Sequence, residues 1–326
     1  MTVLFIGVGF HDFDKLVVDS LKKKHDVVYI NSMDFEMRHK VLFFIFNFLG
    51  LNELFKRIVA DSICKEICKI EKKSIEKLFV IKGTYLDANI LNKVKHQFNI
   101  KDSVLYLWDS WCNHDNLNEI HSCFSRIYTF DSKDSIERQL YLRPLFCCNE
   151  SVRKNDNKES LDISFIGVDH SNRYEILNKF VKLSSNNALN YKFILLIGRV
   201  QYYLTKYFPQ GSRYNKNDMR IFASTSVPYN QYLNIIESSR VVLDIPDNNQ
   251  TGLTMRTIEA LAMGKRIITT NQYIQYYNDI PKDMYLIIED SFNEDVVLNF
   301  IKTENNKASR LPDRYYITSA LAEMIG

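Results

Sequence analysis

The sequence predicts an α/β protein made of two domains, each built on a parallel β-sheet covered by helices. Its 326 residues are too many for one ordinary domain and suit two of about 150 residues each. Short apolar segments alternate with helical segments, a pattern typical of parallel sheets with helices on both faces. The alternation begins at Val3 and starts again at Asp162, after a polar interruption.

Residues 1–148 are expected to form a first Rossmann-like domain. Its strands are indicated by short runs of apolar and β-branched residues. They are Val3–Val8, Asp26–Ile30, Leu78–Lys82, Val104–Trp108 and Arg126–Phe130. Helical periodicity fills the intervals between them. The expected helices are Phe13–Lys24, a long stretch from Phe35 to Lys77, Asp87–Phe98 and Asn116–Cys123.

Residues 149–161 have little apolar content, which predicts a linker, and residues 162–326 are expected to form a second Rossmann-like domain. Its expected strands are Asp162–Gly167, Tyr191–Gly198, Met219–Ala223, Arg240–Ile245, Lys265–Thr269 and Tyr285–Ile288. Its expected helices are Arg173–Leu183, Tyr229–Ser238, Leu253–Met263 and Glu294–Lys302. The last helix of the chain is a candidate to pack back on the first domain.

Composition excludes several classes of function. The chain has 42 basic and 39 acidic residues, a net charge of +3, which argues against a dedicated nucleic-acid binder. The N-terminus lacks the basic region of a secretory signal, and no apolar run of 18 residues could cross a membrane. A cytoplasmic protein with free thiols is therefore expected. The cysteines and histidines match no zinc spacing, so no metal site is expected.

The most informative segment runs from Arg240 to Asn271. A buried strand ends at Asp244, and a loop containing Gly252 follows it. A helix is then expected to begin near Thr254 and to end at Met263, where the next glycine provides a C-terminal cap. This succession of strand, glycine-containing loop and helix is typical of a ligand site at the edge of a sheet.

The chemistry of this segment suits a nucleoside diphosphate. Gly252 lets backbone approach a ligand closely, and a helix beginning at Thr254 offers free N–H groups and a positive dipole end to phosphate. Arg256 lies in the first turn, where it can make a forked phosphate contact. Glu259, just over one turn into the helix, can accept both hydroxyls of a ribose. The spacing fits equally well a capped amphipathic helix with solvated Arg256 and Glu259 side chains.

A family resemblance favours the first interpretation. Segment 259–265, Glu-Ala-Leu-Ala-Met-Gly-Lys, and segment 267–271, Ile-Ile-Thr-Thr-Asn, resemble the donor-site signature of GT-B glycosyltransferases. The turn at Gly167 and the strand end Ile197-Gly198-Arg199 are similar to that superfamily as well. The resemblance implies two Rossmann-like domains that face each other across a cleft. It also implies a nucleotide-diphosphate sugar bound by the second domain, with Glu259 on the ribose.

In detail the sequence resembles bacterial enzymes of capsule, O-antigen or exopolysaccharide assembly. This implies a glycan or lipid-linked oligosaccharide as acceptor, bound by the first domain. Retaining relatives similar to glycogen synthase carry a second glutamate eight positions before the helix glutamate, where this chain has Thr251. They also have Gly-Phe-Gly where this chain reads Gly252-Leu253-Thr254. These departures favour an inverting reaction.

The resemblance further implies that basic side chains and helix ends, rather than a metal ion or cofactor, stabilise the leaving diphosphate. Arg256 and Arg199 are the main candidates for this role, and Arg173, Lys206 and the backbone near Gly167 are weaker ones. The turn before Arg173 can equally be explained by a helix cap at Ser171.

The catalytic base is expected from the first domain, at the end of a strand. Asp109 follows the fourth strand and His11 follows the first. An aspartate beside a histidine can orient the ring and raise its basicity. The two residues resemble in position the His and Asp of inverting GT-B enzymes of plant secondary metabolism. Alternatively Asp109 is the base alone, or Asp12 and Asp109 merely cap the helices that follow them.

The most apolar run of the chain is 41–51, with Arg38, His39 and Lys40 before it and Lys56 and Arg57 after it. Eleven residues cannot span a bilayer, but they can lie in its interface with the basic flanks toward anionic headgroups. The alternative is a buried helix. The sequence therefore allows peripheral attachment at the inner face of the plasma membrane.

Three other functions remain compatible with the pattern. A GT-B-like sugar-nucleotide epimerase would need acids lining the donor site, and a phosphorylase would usually need a lysine-bound cofactor. A non-catalytic two-domain sugar-binding protein would need neither.

Overall fold

The computed structural model describes residues 1–9, 13–71, 75–148, 159–303 and 311–326. The chain forms two compact units. The first contains Met1–Cys148 together with Tyr316–Gly326, and the second contains Asn149–Tyr315. The candidate base His11 and most of the expected linker lie outside the described residues.

The first unit contains a six-stranded parallel sheet in the order β2-β1-β3-β4-β5-β6. Its strands are β1 (Thr2–Gly7), β2 (Asp26–Asn31), β3 (Lys77–Ile81), β4 (Asp102–Leu107), β5 (Arg126–Thr129) and β6 (Tyr141–Leu142). Its helices up to residue 148 are α1 (Phe13–Leu21), α2 (Ser32–Arg38), α3 (Lys40–Phe48), α4 (Asn52–Cys68), α5 (Ala88–Phe98), α6 (Leu117–Ile120) and α7 (Ser132–Arg138). β3 is buried at every residue, as the apolar sequence predicts for a central strand of a parallel sheet.

The second unit repeats this architecture with a different strand order, β12-β11-β10-β7-β8-β9. Its strands are β7 (Leu161–Val168), β8 (Tyr191–Leu196), β9 (Phe222–Ala223), β10 (Ser239–Asp244), β11 (Arg266–Thr269) and β12 (Tyr285–Ile287). Its helices are α8 (Arg173–Asn186), α9 (Arg199–Tyr207), α10 (Tyr229–Glu237), α11 (Met255–Ala262) and α12 (Glu294–Lys302). The last helix of the chain, α13 (Ile317–Ile325), belongs to the first unit, where it packs on α1.

Each sheet has one point at which the strand order reverses, between β1 and β3 in the first unit and between β7 and β10 in the second. Helices that leave neighbouring strands at such a point go to opposite faces, so a crevice opens beyond the carboxyl ends of the strands. The topology therefore places the candidate ligand site of the second unit beside the last residues of β7 and β10.

The structure departs from the predicted elements in several places. Helix α7 was not predicted, and residues 219–221, predicted as part of a strand, lie in a 3-10 helix that ends just before β9. The stretch from Phe35 to Lys77, expected to be helical throughout, contains α3 and α4 separated by a turn at Gly50, whose φ of +69° favours glycine. α9 was not predicted, because its apolar side chains face outward and the helix buries only Thr205. β6 was not predicted because it has two residues, both exposed.

Candidate functional site

The buried carboxylate of Asp244 organises the carboxyl edge of the second sheet. Asp244 ends β10 and is fully buried. It accepts hydrogen bonds from the hydroxyls of Thr254 at 2.8 Å, Thr257 at 2.9 Å and Thr269 at 3.2 Å. The guanidinium of Arg256 completes the set with a 2.7 Å ion pair. One carboxylate thus joins the end of β10, the first turn of α11 and the end of β11.

Arg256 also reaches β7, the strand on the other side of the reversal. Its Nε and Nη2 donate to the carbonyl oxygen of Ile166 at 2.9 and 2.7 Å, and its guanidinium lies 4.7 Å from the ring centre of Phe165. A Cβ on Gly167 would come within 2.6 Å of Nη2, so the glycine makes room for the guanidinium. The structure brings the predicted residues Gly167 and Arg256 together, with Arg256 inside a largely buried ion pair.

A second arginine lies at the same strand ends. Arg173 is buried and donates from Nε to the carbonyl oxygen of Ile245 at 2.8 Å and from Nη1 to that of Val168. Burial and the charge of Arg256 lower the pKa of Arg173 to about 9. The interpretation that Ser171 caps α8 is wrong: the cap residue is Asn172, which makes no side-chain cap bond.

Glu259 is enclosed rather than solvated. It is 1% exposed, and Tyr229 donates its hydroxyl hydrogen to Oε1 at 2.6 Å, with a further bond from Tyr232. Burial raises the pKa of Glu259 to about 7, although the tyrosine hydrogen bonds and the charge of Arg256 oppose that rise. The alternative of solvated Arg256 and Glu259 side chains is therefore wrong.

The loop before α11 is held in place by two polar residues. Thr254 caps the helix, accepting from the N–H of Thr257 at 3.2 Å, and Gly264 follows it with a φ of +71°, as predicted for the two ends of this helix. Asn271 is buried and donates to the carbonyl oxygen of Gly252 at 3.0 Å. The first N–H groups of α11 are therefore presented at the strand reversal by a fixed loop.

Arg199 lies on the same edge of the sheet, one strand away. It is the exposed first residue of α9, which follows β8, the neighbour of β7. It does not take part in the bonds around Asp244. Its predicted contact with phosphate stays a prediction, as do the roles of Gly252, Thr254, Arg256 and Glu259 toward a nucleotide.

Beside this cluster is a cavity of about 470 Å³. It opens beyond the carboxyl ends of β10, β11 and β12, and three acidic residues are part of its wall. The lining residues are Asn172, Pro246, Asp247, Asn248, Gln250, Thr270, Asn271, Gln272, Tyr273, Ile288, Glu289, Asp290 and Ser291. The volume is in the range of small-molecule sites. Sequence reasoning missed the acidic wall because its members come from separate loops.

In the first unit the predicted base Asp109 lies just beyond the end of β4. Its carboxylate pairs with the ammonium of Lys82, which follows β3 and has a φ of +63°. His114 is buried nearby, and burial lowers the pKa of its ring. The interpretation that Asp109 is a helix cap is wrong, since the next turn is preceded by Ser110. Sequence reasoning missed Lys82, and the pairing of Asp109 with His11 stays a prediction.

The end of β1 also lies against a buried carboxyl group. Asp14 accepts from the N–H of Gly9 and from the hydroxyl of Tyr29, both at 2.7 Å. Burial raises the pKa of Asp14, and a Cβ on Gly7 would overlap its carboxylate. Across the described ranges of the chain, no group of three His, Cys, Asp or Glu side chains could hold a metal ion.

No protein-family model and no curated protein matches the sequence. Solved structures do match in fold. UDP-GlcNAc 2-epimerase from Methanocaldococcus jannaschii has 14% identity over 100% of this chain and 98% of its own, with a TM-score of 0.56. S. aureus MnaA, solved with UDP, has 8% identity over 99% and 94%, with a TM-score of 0.57.

A third match is AviGT4, a glycosyltransferase involved in avilamycin A biosynthesis. It has 8% identity over 100% of this chain and 93% of its own, with a TM-score of 0.54. Together with the two six-stranded parallel sheets, these matches show that the chain has the GT-B fold of two Rossmann-like domains. At such low identities the matches establish the fold and not the reaction.

We expect Asp244→Asn to destabilise the second unit strongly. The change keeps the shape of the side chain but leaves the Arg256 guanidinium largely buried beside a neutral amide. Losing one partner of a buried ion pair costs about 3 kcal/mol or more. Urea unfolding, followed by circular dichroism, measures this loss. Asp247→Asn is the control, because its carboxylate is partly exposed and lies 3.4 Å from His170. Equal stability of the two variants would contradict the assigned role of Asp244.

We expect Glu259 to make stability depend on pH. The carboxyl titrates at 4.5 in an ordinary setting and at about 7 in the fold. Between these values the folded state binds more protons, so the free energy of unfolding decreases as pH rises through that window. From about pH 5 to 7 the loss from this one group is about 2 kcal/mol.

Glu259→Gln should remove this contribution, because the amide stays neutral at both pH values. The measurement is urea unfolding at about pH 5, 6 and 7. Glu294→Gln, at an exposed position that begins α12, should keep the wild-type slope. A Glu259→Gln variant with the wild-type slope would show that this carboxyl ionises normally in the fold.

Proposed function

We propose that the protein is a glycosyltransferase that moves a sugar from a nucleotide-diphosphate sugar to a glycan acceptor. The observation that carries the proposal is the N-terminus of α11 at the strand reversal of the second unit, with Glu259 just over one turn into the helix. This is the arrangement that the donor-site resemblance of segments 259–265 and 267–271 implies.

The first N–H groups and the dipole of α11 favour a diphosphate at that point. Arg173 and Arg256 lie behind the loop, together with the carboxylates of Asp244, Asp169 and Asp247. Arg199 is exposed and can contact phosphate directly. Glu259 accepts the ribose hydroxyls, which replace the hydroxyl of Tyr229. Uridine diphosphate is the first nucleotide to test, because S. aureus MnaA was solved with it.

The reaction that fits Thr251, in place of a second glutamate, is inverting displacement. The acceptor hydroxyl attacks the anomeric carbon, the bond to the diphosphate oxygen breaks, and a base in the first unit takes the hydroxyl proton. Asp109, alone or with His11, is the proposed base, and Lys82 fixes the position of its carboxylate. Fixed positive groups stabilise the leaving diphosphate, so no metal ion is required.

The proposed acceptor is a lipid-linked surface glycan at the inner face of the plasma membrane.

Epimerisation of a nucleotide sugar is the second candidate. The chain matches a UDP-GlcNAc 2-epimerase over its full length, a likeness of fold alone. One local observation also favours it. Asp247, Glu289 and Asp290 line the cavity beside the donor helix, and epimerisation needs groups that remove and return a proton at the sugar.

A panel of nucleotide-diphosphate sugars, incubated with the protein in the presence of a chelator, distinguishes the two reactions. A transferase releases free nucleoside diphosphate, at a rate that a glycan acceptor increases and the chelator leaves unchanged. An epimerase yields an isomeric nucleotide sugar. Its mass equals that of the substrate, so NMR distinguishes the two and mass spectrometry does not. Glu259→Gln should weaken nucleotide binding about tenfold, and Glu294→Gln should not. If calorimetry detects binding of none of these nucleotide sugars, both proposed functions are overturned.

Asp109→Asn tests the assignment of the base. Loss of a general base lowers kcat by a factor of about 10² to 10⁴, while the KM for the donor, which binds the other unit, should change little. Asp115→Asn is the matched control. The carboxylate of Asp115 is exposed, and Lys56 is its one ion-pair partner within the described residues. A near wild-type kcat in Asp109→Asn would remove Asp109 from the mechanism.

A further inference from the structure

Helix α3 is apolar on both of its faces, which is unusual for a helix at the surface of a unit. Its inner side chains Leu42, Phe43 and Phe46 are partly buried against the core of the first unit. The ring of Phe43 lies 5.3 Å from that of Phe55 on α4, measured between ring centres. This packing fixes which face of α3 points outward.

The outer face consists of Val41, Phe44, Ile45 and Phe48, at the i, i+3, i+4, i+7 spacing of one helical stripe. All four side chains are exposed, Val41 to 74% and Phe48 to 90%. A helix that is apolar on every side is ordinarily buried on every side. We therefore expect a binding partner outside the first unit to cover this stripe.

The apolar surface continues beyond α3. Every residue from 47 to 54 is exposed, including Leu49, Leu51 and Leu54 in the turn that leads into α4. A Cβ built on Gly50, at the centre of this turn, has no atom within 4 Å. The turn therefore stands clear of the rest of the described chain. On α2, the helix before α3, Met37 is exposed as well.

Positive charge is concentrated beside this surface. Residues 38–57 contain the four basic residues Arg38, Lys40, Lys56 and Arg57 and one acidic residue, Glu53, for a net charge of +3. Lys56 pairs with Glu53 and with Asp115, so the positive charge of the segment belongs to Arg38, Lys40 and Arg57. The whole chain also has a net charge of +3, so the other residues together are neutral. Arg38 and Arg57 are exposed. Phe48 and its neighbours thus protrude from a locally basic part of an otherwise balanced protein.

We propose that this surface docks on an anionic lipid bilayer. This surface, the α3 face, would lie among the acyl chains nearest the headgroups. The α3 face is defined as Met37, Val41, Phe44, Ile45, Phe48, Leu49, Leu51 and Leu54. Arg38 and Arg57 would contact acidic headgroups. α3 has nine residues and is about 13 Å long, far short of a bilayer core. In the described ranges no helix is long and apolar enough to cross a membrane.

A bilayer fits this surface better than a folded partner does. A protein partner must supply a pocket that matches each protruding side chain, whereas acyl chains rearrange around any shape. Basic residues beside an apolar stripe also match an anionic membrane, which attracts them by about 1 kcal/mol each near the surface. Neither the apolar contact nor the charge alone gives stable attachment, so both should be required.

Flotation with vesicles tests the proposal without using any transfer reaction, so its outcome is independent of the proposed function. The wild type should float with vesicles of phosphatidylcholine and phosphatidylglycerol, about three to one. It should bind about tenfold less to phosphatidylcholine alone, and less at high salt. Phe44→Glu with Phe48→Glu should reduce binding to the acidic vesicles about tenfold or more. Recovery of the wild type that does not depend on lipid would overturn the proposal.

Two control variants make the result specific. Ile136, on α7, is 80% exposed and lies outside the α3 face, so Ile136→Glu should bind vesicles like the wild type. α9 in the second unit also exposes Val200 and Tyr203, and Val200→Glu with Tyr203→Glu should retain binding. The opposite result would overturn the proposal. If the α9 variant loses binding while the double variant of Phe44 and Phe48 binds fully, the membrane contact lies on the second unit.

The folded state and the oligomeric state are checked on the same samples. Phe44 and Phe48 are exposed, so their replacement should leave the urea unfolding midpoint unchanged. Sedimentation without lipid should show the same mass for wild type and variant. A dimer that dissociates in Phe44→Glu with Phe48→Glu would show that a second copy of the chain covers this surface, and would overturn the membrane assignment.

Discussion

The carboxylate of Asp244 is the constraint on which the edge of the second sheet depends. It lies at the end of a central strand, away from water, and its four hydrogen-bonding partners come from α11 with its cap and from β11. A buried carboxylate is costly unless its oxygens are satisfied, so the helix cap, the first turn and the next strand are all held where they can donate to it. Arg256 then carries the constraint across the strand reversal to Ile166.

The two units place a glycine in corresponding positions for a similar reason. Gly7 ends the first strand of one unit against Asp14, and Gly167 approaches the end of the first strand of the other against Arg256. In each case a side chain on the glycine would take the space of a charged group. The charge differs in sign, however. Arg173 and Arg256, the two arginines at the strand reversal, lie in the second unit, which is the unit proposed to bind the nucleotide.

The alternation of apolar strands and helices was sufficient to predict both sheets, because a buried parallel strand has a local sequence signature. Helix α11 was predicted with its cap at Thr254 and its terminal Gly264, because caps are local as well. α9 was missed because helix prediction assumes that the apolar face is the buried one, and its apolar residues face outward.

The interactions within the candidate site were less accessible to sequence reasoning. An aspartate at a strand end is indistinguishable, in sequence, from one exposed to water, and the bond from Arg256 to Ile166 joins residues 90 positions apart. The enclosure of Glu259 depends on Tyr229, which lies 30 residues earlier on another helix. Such contacts follow from the strand order, which was not predicted. The sequence therefore indicated the residues of the candidate site, while their burial and mutual pairing emerged only from the fold.

The pairing of Arg256 changes how the site would act on a diphosphate. A guanidinium held by Asp244 and Ile166 cannot swing toward a ligand without breaking bonds, so its contribution is a fixed field rather than a flexible contact. Arg173 and Arg256 carry two positive charges, and the carboxylates of Asp244, Asp169 and Asp247 also act on Arg173, so carboxylates balance the charge of the two arginines. Burial, and then the charge of Arg256, lower the pKa of Arg173. A diphosphate at the N-terminus of α11 would meet N–H groups that are already oriented, so little reorganisation would be needed as the leaving group gains charge.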